Sequence, residues 1–423
     1  MSDAATRSRI ADPTLADRGD ELIAWVARHS PVLNHLARER LADGALRDRR
    51  VAVVVHLEAK TAYLALLLAE AGAVVVAAGS NPGSTQDAVC AALVRRGIEV
   101  HARHGSNAEE FEADLLAVAD TEPEFVVDDG AELTGRIIDH RPELAPALRG
   151  VTEETTTGIA RLRALERASR LTFPAIAAND AWCKHLFDNR FGTGQSVLAA
   201  VLRLTNTSAP GKRVCVIGYG WVGRGLAQYA NGLGARVFVV EVDPVRALEA
   251  NMEGHRVARL RDALPQADIV LTATGGIDAL GSDALALLPD GVLLANAGHH
   301  DREIDVDALD AAATSVTEAR PGVTTYLLGD SAGRGRRVHL LSEGRLVNIA
   351  GADGHPVEIM DLSFSVQALA VHYLASHPEL GPGLHALPPE LDRAIARTKL
   401  TTLGVELDDL TPTQRAFFEG WSA

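Results

Sequence analysis

The residues best suited to moving protons gather where apolar runs end. Arg50 to Val55 reads as a strand and runs directly into His56-Leu57-Glu58-Ala59-Lys60-Thr61. Val74 to Ala78 reads as a second strand and ends in Ser80-Asn81-Pro82-Gly83-Ser84-Thr85-Gln86-Asp87; Phe125 to Val127 reads as a third and ends in Asp128-Asp129-Gly130. Open α/β sheets hold their ligands at the carboxyl ends of strands, so three such clusters in succession point to one site. Taken singly, each also reads as local chemistry: Asp129-Gly130 suits a turn, and Ser84 or Thr85 a helix N-cap. Glu153-Glu154-Thr155-Thr156-Thr157-Gly158 is either a solvated helix start or a hydrogen-bonding wall for a polyhydroxylated ligand. Between Asn179 and Asn189, a helix would place Lys184 and Asp188 at i and i+4 on one face. Trp182, Leu186 and Phe187 surround that pair with apolar groups, which predicts a lowered lysine pKa and an amine able to act as a base.

A hydride-transfer cofactor is the second piece of chemistry. Val214 to Ile217 reads as a buried strand, followed by Gly218, Gly220 and Gly223 as G-x-G-x-x-G, with Trp221 and Val222 in the turn into a helix. The glycines allow a tight turn, close approach of a pyrophosphate and close helix packing, and the helix N-terminus offers free N–H groups. A further strand, Arg236 to Val240, ends at Glu241, whose carboxylate suits the adenosine ribose 2′-hydroxyl and would repel a 2′-phosphate. The spacing predicts NAD. Ile269 to Ala273, ending in Thr274-Gly275-Gly276, and Val292 to Ala295, ending in Asn296-Ala297-Gly298-His299-His300, read as further strands of the same sheet, and bring His299 toward the cofactor.

Positioning these groups takes more than one α/β unit. The 423 residues allow two or three domains, 47 % hydrophobic content supports real cores, and aromatics are only 4 %. Residues 15–48 read as helical, residues 318–340 as alternating polar strands, and the C-terminal third as helical. A net charge of −15 argues against a nucleic-acid partner. Cys90, Cys183 and Cys215 form no paired or metal-binding pattern, so no metal is expected, and the setting is a reducing, cytoplasmic one. Ala62 to Gly79 is the most membrane-like stretch, but Glu70 and Gly72 interrupt it and it reads as a helix feeding a strand. No membrane association is expected.

With these motifs in place the chain resembles S-adenosyl-L-homocysteine hydrolases over nearly its whole length. The resemblance rests on Ser84–Asp87 (STQD), Asp128–Gly130 (DDG), Glu153–Gly158 (EETTTG), Asn179 to Asn189, Gly218–Gly225 (GYGWVGRG), Asn296–His299 (NAGH) and Glu343 to Pro356 (EGRLVN and GHP). HLEAKT at His56–Thr61, and a C-terminus that stops shortly after LTPTQ without the Lys/Tyr tail of many members, resemble the archaeal and thermophile branch. Thr193 stands where many members have cysteine.

The resemblance implies an α/β fold of two doubly wound parallel-sheet domains: a discontinuous substrate domain (1–190 and 346–423) with an inserted Rossmann NAD domain (191–345), and hinges near 190 and 345. It implies a homo-oligomer, tetramer or dimer, acting on a nucleoside thioether through a 3′-keto intermediate. The implied roles are Lys184 with Asp188 at the 3′-hydroxyl, Asp129 at C4′, Glu154 on the ribose hydroxyls, and His56 and His299 at the 5′-sulfur and water. Glu58, Lys60, Thr61, Asn81, Ser84, Thr85 and Gln86 are expected to bind substrate, with His355 at the base or homocysteine end. Thr155, Thr156, Thr157 and Thr274 are expected on the cofactor, Asn348 on its carboxamide, and Asn189 on either the nicotinamide or the Lys184 pair. Lys60 is a donor-only group that suits a 6-oxo base, so S-inosyl-L-homocysteine, or another nucleoside modified through 3′-oxidation, stands beside S-adenosyl-L-homocysteine. An NAD-sensing regulatory paralogue is disfavoured because every acid–base residue is present.

Overall fold

The computed structural model describes residues 3–329 and 335–420. Its first sheet contains β1 (Arg50–Val55), β2 (Val74–Gly79), β3 (Glu99–His101), β4 (Phe125–Asp128), β5 (Gly150–Glu153), β6 (Pro174–Ile176) and β15 (Gly383–His385). The order is β15-β6-β5-β4-β1-β2-β3, with every pair parallel. In β1 five successive residues are buried, the pattern of a central strand covered on both faces. The chain runs outward from β1 to β3, then returns to β4 on the other side of β1. That reversal opens a crevice at the carboxyl ends of β1 and β4, the two strands that deliver His56 and Asp129.

The second sheet repeats the plan. It contains β7 (Arg213–Ile217), β8 (Arg236–Val240), β9 (Arg256–Val257), β10 (Ile269–Thr272), β11 (Val292–Asn296), β12 (Ala313–Arg320), β13 (Val323–Gly329) and β14 (Gly335–Leu341). The order is β12-β13-β14-β11-β10-β7-β8-β9. Strands β9 to β14 in that row are parallel, and β13 and β12 add an antiparallel edge. Its reversal lies between β7 and β10, which lead into Gly218 and Thr274.

Three local readings need correction. The C-terminal third is not wholly helical: β15 returns to the first sheet and pairs with β6. Neither Ser84 nor Thr85 caps a helix; Asn81 accepts from Gly83 N at 2.8 Å and caps the short turn Pro82–Ser84. Residues 15–48 are helical only in pieces, with a π-helical stretch at Leu33–Ala37.

Near residue 190 the chain passes through a π-helical stretch, His185–Gly192, into the helix Thr193–Thr205. Near residue 345, Ser342, Glu343 and Gly344 take φ of 48°, 57° and 77°, a left-handed run that two non-glycine residues rarely adopt. The helix Val357–Ser376 then lies buried against the first sheet, carrying Asp361, Ser363, Ser365 and Gln367 into the interior. Buried polar groups in such a helix need partners: Asp361 accepts from Val32 N and Leu33 N, Ser365 donates to Asp361 O, and the site supplies those of Ser363 and Gln367. Among the described residues no helix is long and apolar enough to cross a membrane. The three cysteines are buried and free, and burial pushes the Cys215 thiol up to about 12.

Candidate active site

The two crevices face one another and form one cleft, lined from both sheets. On its first wall Asp129 follows β4, and its neighbours fix its loop. Asp128 accepts from Thr134 N at 2.8 Å and from Leu133 N at 3.2 Å, capping the helix Glu132–His140. Glu153 accepts from Gly130 N, Ala131 N and Thr155 N, each at 2.8 Å. Each adjacent acid pair is therefore divided: Asp128 and Glu153 hold backbone, while Asp129 and Glu154 face the cleft. Ser80 Oγ donates to Asp129 Oδ2 at 2.7 Å, and Oδ1, though buried, has no hydrogen-bond partner. His56 Nε2 stands 3.6 Å from Asp129 Oδ2, and His299 Nδ1, arriving from β11, 3.7 Å from Oδ1. Burial pushes the Asp129 carboxyl up, but His299, His56 and Ser80 outweigh it and hold it below the usual range. Burial also lowers His299.

The second cluster departs from expectation. Lys184 Nζ lies 2.8 Å from Asp188 Oδ2 and 3.3 Å from Glu154 Oε1, and donates to Asn189 Oδ1 at 2.7 Å. All four residues are buried. The apolar shell expected around the pair is not what faces the amine: Trp182 is exposed, and the groups nearest the amine are the carboxylates of Asp188 and Glu154. Burial alone lowers a lysine, yet Asp188 and Glu154 overcome it, so the Lys184 pKa rises rather than falls. Asp188 is pulled down despite burial, by Lys184 and His355. Burial raises Glu154 to about 7 against the pull of Lys184, so it is the member of the group that titrates near neutrality. Asn189 serves the lysine, and its Nδ2 donates to Asn179 Oδ1 at 3.0 Å. His355 lines the cleft with both ring nitrogens engaged: Nδ1 sits against Asp188 Oδ1, and Nε2 pairs with Thr193 Oγ1 at 3.1 Å.

Two polar helix positions that the motifs did not mark support this cluster. Ser363 Oγ donates to Asp188 Oδ2 at 2.8 Å, and Gln367 Nε2 donates to Glu154 Oε2. The available signal was their i, i+4 spacing inside an otherwise apolar helix.

At the far end of this wall Glu58 accepts from Lys60 N at 3.1 Å and from Lys60 Nζ at 2.7 Å; the same ammonium donates to Asp353 O at 3.1 Å. Thr61 Oγ1 donates to His56 O at 2.6 Å, pinning the strand end. Ser84 and Gln86 line the cleft, and Gln86 Oε1 is buried without a partner. Asn81 and Thr85 do not line it; both support the loop from behind.

On the opposite wall Gly218 has φ 97°, and a Cβ there would lie 2.5 Å from Ala273 O; one on Gly223 would lie 2.0 Å from Gly218 O. Gly220, by contrast, is open toward the cleft, with only Arg246 Nη1 3.9 Å from its Cβ position. Glu241 follows β8 and accepts from Tyr219 N at 2.7 Å. Trp221 and Val222 line the cleft, as do Thr155, Thr156, Thr157 and Thr274; Gly223 packs behind. Glu303, unmarked by any motif, accepts from Thr274 N at 2.9 Å and Gly275 N at 2.8 Å and holds that loop. Asn348 does not reach the cleft: it is buried, with Nδ2 donating to Ser196 Oγ at 2.9 Å. A glycine turn open to the cleft, a following helix N-terminus and an acid at the next strand end fit a dinucleotide without a 2′-phosphate.

This geometry defines an NAD-binding α/β enzyme whose first wall carries two clusters of buried titratable side chains. The profile of the S-adenosyl-L-homocysteine hydrolase family matches residues 7–143, and that of the family's NAD binding domain matches residues 189–354. The chain is 50 % identical over 406 residues to the adenosylhomocysteinase of Thermotoga maritima, covering 95 % of this chain and 99 % of that one. It is 46 % identical over 413 residues to the adenosylhomocysteinase of Thermococcus kodakarensis, covering 97 % of each. It is also 46 % identical over 414 residues to the S-inosyl-L-homocysteine hydrolase of Methanopyrus kandleri, again covering 97 % of each. The chain belongs to the S-adenosyl-L-homocysteine hydrolase family.

Proposed function

We propose that the protein catalyses the reversible hydrolysis of S-adenosyl-L-homocysteine to adenosine and L-homocysteine. The observation that carries this is the joint placement of the Lys184–Asp188–Glu154 and His56–Asp129–His299 clusters opposite a dinucleotide-binding turn. Gly218, Gly220, Glu241 and Thr274 would hold NAD, which when bound would supply a hydride acceptor for reversible oxidation of the ribose 3′-hydroxyl to a ketone. The ketone acidifies C4′–H, and loss of that proton lets the 5′-thiolate leave.

The side chains then have separable tasks. Lys184 is held charged, so it takes the 3′-hydroxyl proton only after handing one on, and Glu154 can hold that proton near neutral pH. Asp188 and Asn189 keep the amine in place. Asp129, ionised and with a bare Oδ1, removes the C4′ proton. His56 and His299 flank it and suit protonation of the departing sulfur and deprotonation of the entering water. Mixing the purified protein with S-adenosyl-L-homocysteine should release thiol and give a transient absorbance of reduced nicotinamide. Thiol release without that transient would overturn the assignment.

Lys60 favours a second reading of the base. Two of its three N–H groups serve Glu58 and Asp353, and the third, as a donor, suits a 6-oxo group and not a 6-amino group at that position of the base. S-Inosyl-L-homocysteine is the substrate under that reading, and rates of thiol release from the two compounds decide between them.

The proposed domain limits are 1–190 with 346–423, and 191–345, supported by the π-helical passage and the left-handed run at the two crossings. A homo-oligomer is supported by exposed apolar side chains near the C-terminus: Leu403, Leu407, Leu410, Phe417 and Phe418. A reducing, cytoplasmic setting is consistent with three unpaired thiols. Sedimentation velocity tests the oligomer.

A further inference from the structure

Lys184 sits on a short support. Trp182–Lys184 is a single turn that passes at once into the π-helical stretch His185–Gly192. One turn does not stabilise itself, and its N-cap residue, Ala181, has no side chain to offer the free N–H groups. The acceptor comes from 210 positions away: Asp392 Oδ2 accepts from Trp182 N at 2.6 Å, and Oδ1 accepts from Cys183 N at 2.8 Å. Cys183 Sγ donates to Asp392 O at 3.2 Å. Asp392 is buried and lies in the first turn of the helix Pro389–Thr402, so its carboxylate suits both helix N-termini that it faces. That helix is pinned in turn: Ile395 is buried in the core, and Lys399 Nζ donates to Asp361 Oδ2 at 3.2 Å.

We infer that Asp392 is a positioning residue for Lys184: by capping the turn with both carboxylate oxygens it sets where the ammonium stands between Glu154 and the opposite wall of the cleft. Asp188 and Asn189 also hold the ammonium, but they lie on the stretch that follows the lysine in the chain and move with it. Glu154 follows β5 and is fixed independently. Asp392 is the contact that registers the base of the lysine against a separate element. A long side chain turns a small rotation of its backbone into a displacement at its tip, and a misplacement of about 1 Å costs about 10²-fold in rate. Asp392 itself does not line the cleft, so it acts only through the lysine. The inference rests on the proposed role of Lys184 at the 3′-hydroxyl.

Asp392→Ala and Asp392→Asn test it in the full-length protein carrying NAD. In Asp392→Ala, kcat should fall about 10²-fold, KM for S-adenosyl-L-homocysteine should change less than about 3-fold, and nicotinamide reduction on mixing should slow with kcat. Glu154 faces Lys184, Asp188, Asp129 and the neutral Gln367. Drawing the ammonium away raises its midpoint, so the rising limb of the kcat profile should move to higher pH. Asp392→Asn keeps one acceptor for the two N–H groups. It should fall between wild type and Asp392→Ala in both readings, and it carries the test if the alanine variant does not fold. A lower melting temperature alone, with kcat per folded, NAD-bearing chain and the pH midpoint as in wild type, would make Asp392 a structural cap and overturn the inference; a raised KM at unchanged kcat would overturn it too. A wild type that releases no thiol would count against the proposed function. Thermal melts across pH then still read the lysine: the melting temperature of the variants should keep falling to higher pH than that of wild type, because the folded chain holds the Glu154 proton longer. Coincident pH dependences would overturn the positioning role.

Discussion

Gln367 and Glu154 lie 213 positions apart and are joined by one hydrogen bond, Gln367 Nε2 to Glu154 Oε2. The amide cannot turn over, because Thr152 Oγ1 donates to its carbonyl. A neutral donor is thus fixed on one carboxylate oxygen of Glu154 while the other faces Lys184. This contact favours the charged carboxylate and works against the burial that raises Glu154 to about 7.

Removing that donor should move a titration as well as reduce a rate. In Gln367→Leu, Glu154 loses a partner of its charged form, so its pKa rises. The rising limb of the kcat profile, set by Glu154 ionisation, should move to higher pH, and the variant should lose about 1.5–3 kcal/mol of stability. A profile with unchanged midpoint would make Gln367 a packing residue only.

Lys184→Ala should retain NAD and lose turnover by about 10²–10⁴, with no reduced nicotinamide formed on adding substrate. It should also be less stable at neutral pH, since Asp188 and Glu154 are left buried without their cation, a loss of about 3–5 kcal/mol. The sign with pH follows from Glu154. Its folded pKa lies above the usual 4.5, at about 7. Across that window the folded chain binds more protons than the unfolded chain, so this group's contribution to stability falls as pH rises. Without Lys184, which lowers Glu154, the window extends upward. Thermal melts should therefore show the variant recovering part of its lost stability as the pH is lowered from about 8 to about 6. A deficit independent of pH would contradict the coupling.

Glu241→Ala should weaken NAD retention by about 10-fold, the loss of one charge-assisted hydrogen bond. The backbone matters here too: Glu241 accepts from Tyr219 N in the glycine turn and from Val242 N and Asp243 N at its own strand end. Glu241→Gln, which can keep the Tyr219 contact, should lose less. Nicotinamide content after gel filtration measures both, and equal content in wild type and Glu241→Ala would count against this role.

The central strands of both sheets were legible because they are short apolar runs ending in polar clusters, whereas β3, β5, β6 and β9, two to four residues long, gave no such run. Strand β15 was not legible either: Gly383, Leu384 and His385 carry no periodic signal, and their strand exists only because β6 offers an edge. The cleft residues were legible where chemistry and motif coincide, as at Asp129 and Lys184. What sequence could not give was the partner of each group. Lys184 was read from its neighbours in the chain, whereas its charge is set by Glu154, thirty positions away. Asn348 and Asn81 sit in recognisable motifs yet face inward, toward Ser196 and Gly83. Glu303 has no local pattern at all, and its task, holding Thr274 and Gly275, becomes visible only once β10 and β11 are side by side.

Under the S-inosyl reading the base preference rests on Lys60, a residue 7 % exposed whose ammonium is anchored by Glu58 and Asp353. Lys60→Met keeps the length of the side chain and removes the donor. Glu58 retains its cap on the backbone N–H of residue 60, so the helix Ala59–Glu70 should stay in place. A hydrogen bond from a charged group to a neutral acceptor is worth about 1.5–3 kcal/mol when its partner is buried. The variant should therefore lose about 10- to 100-fold in kcat/KM for S-inosyl-L-homocysteine if Lys60 donates to a 6-oxo group. S-Adenosyl-L-homocysteine, whose 6-amino group offers Lys60 no acceptor, should be affected far less. Thiol release from the two substrates, compared between wild type and variant, measures the change in their ratio. Equal losses for both would show that Lys60 shapes the pocket without reading the base.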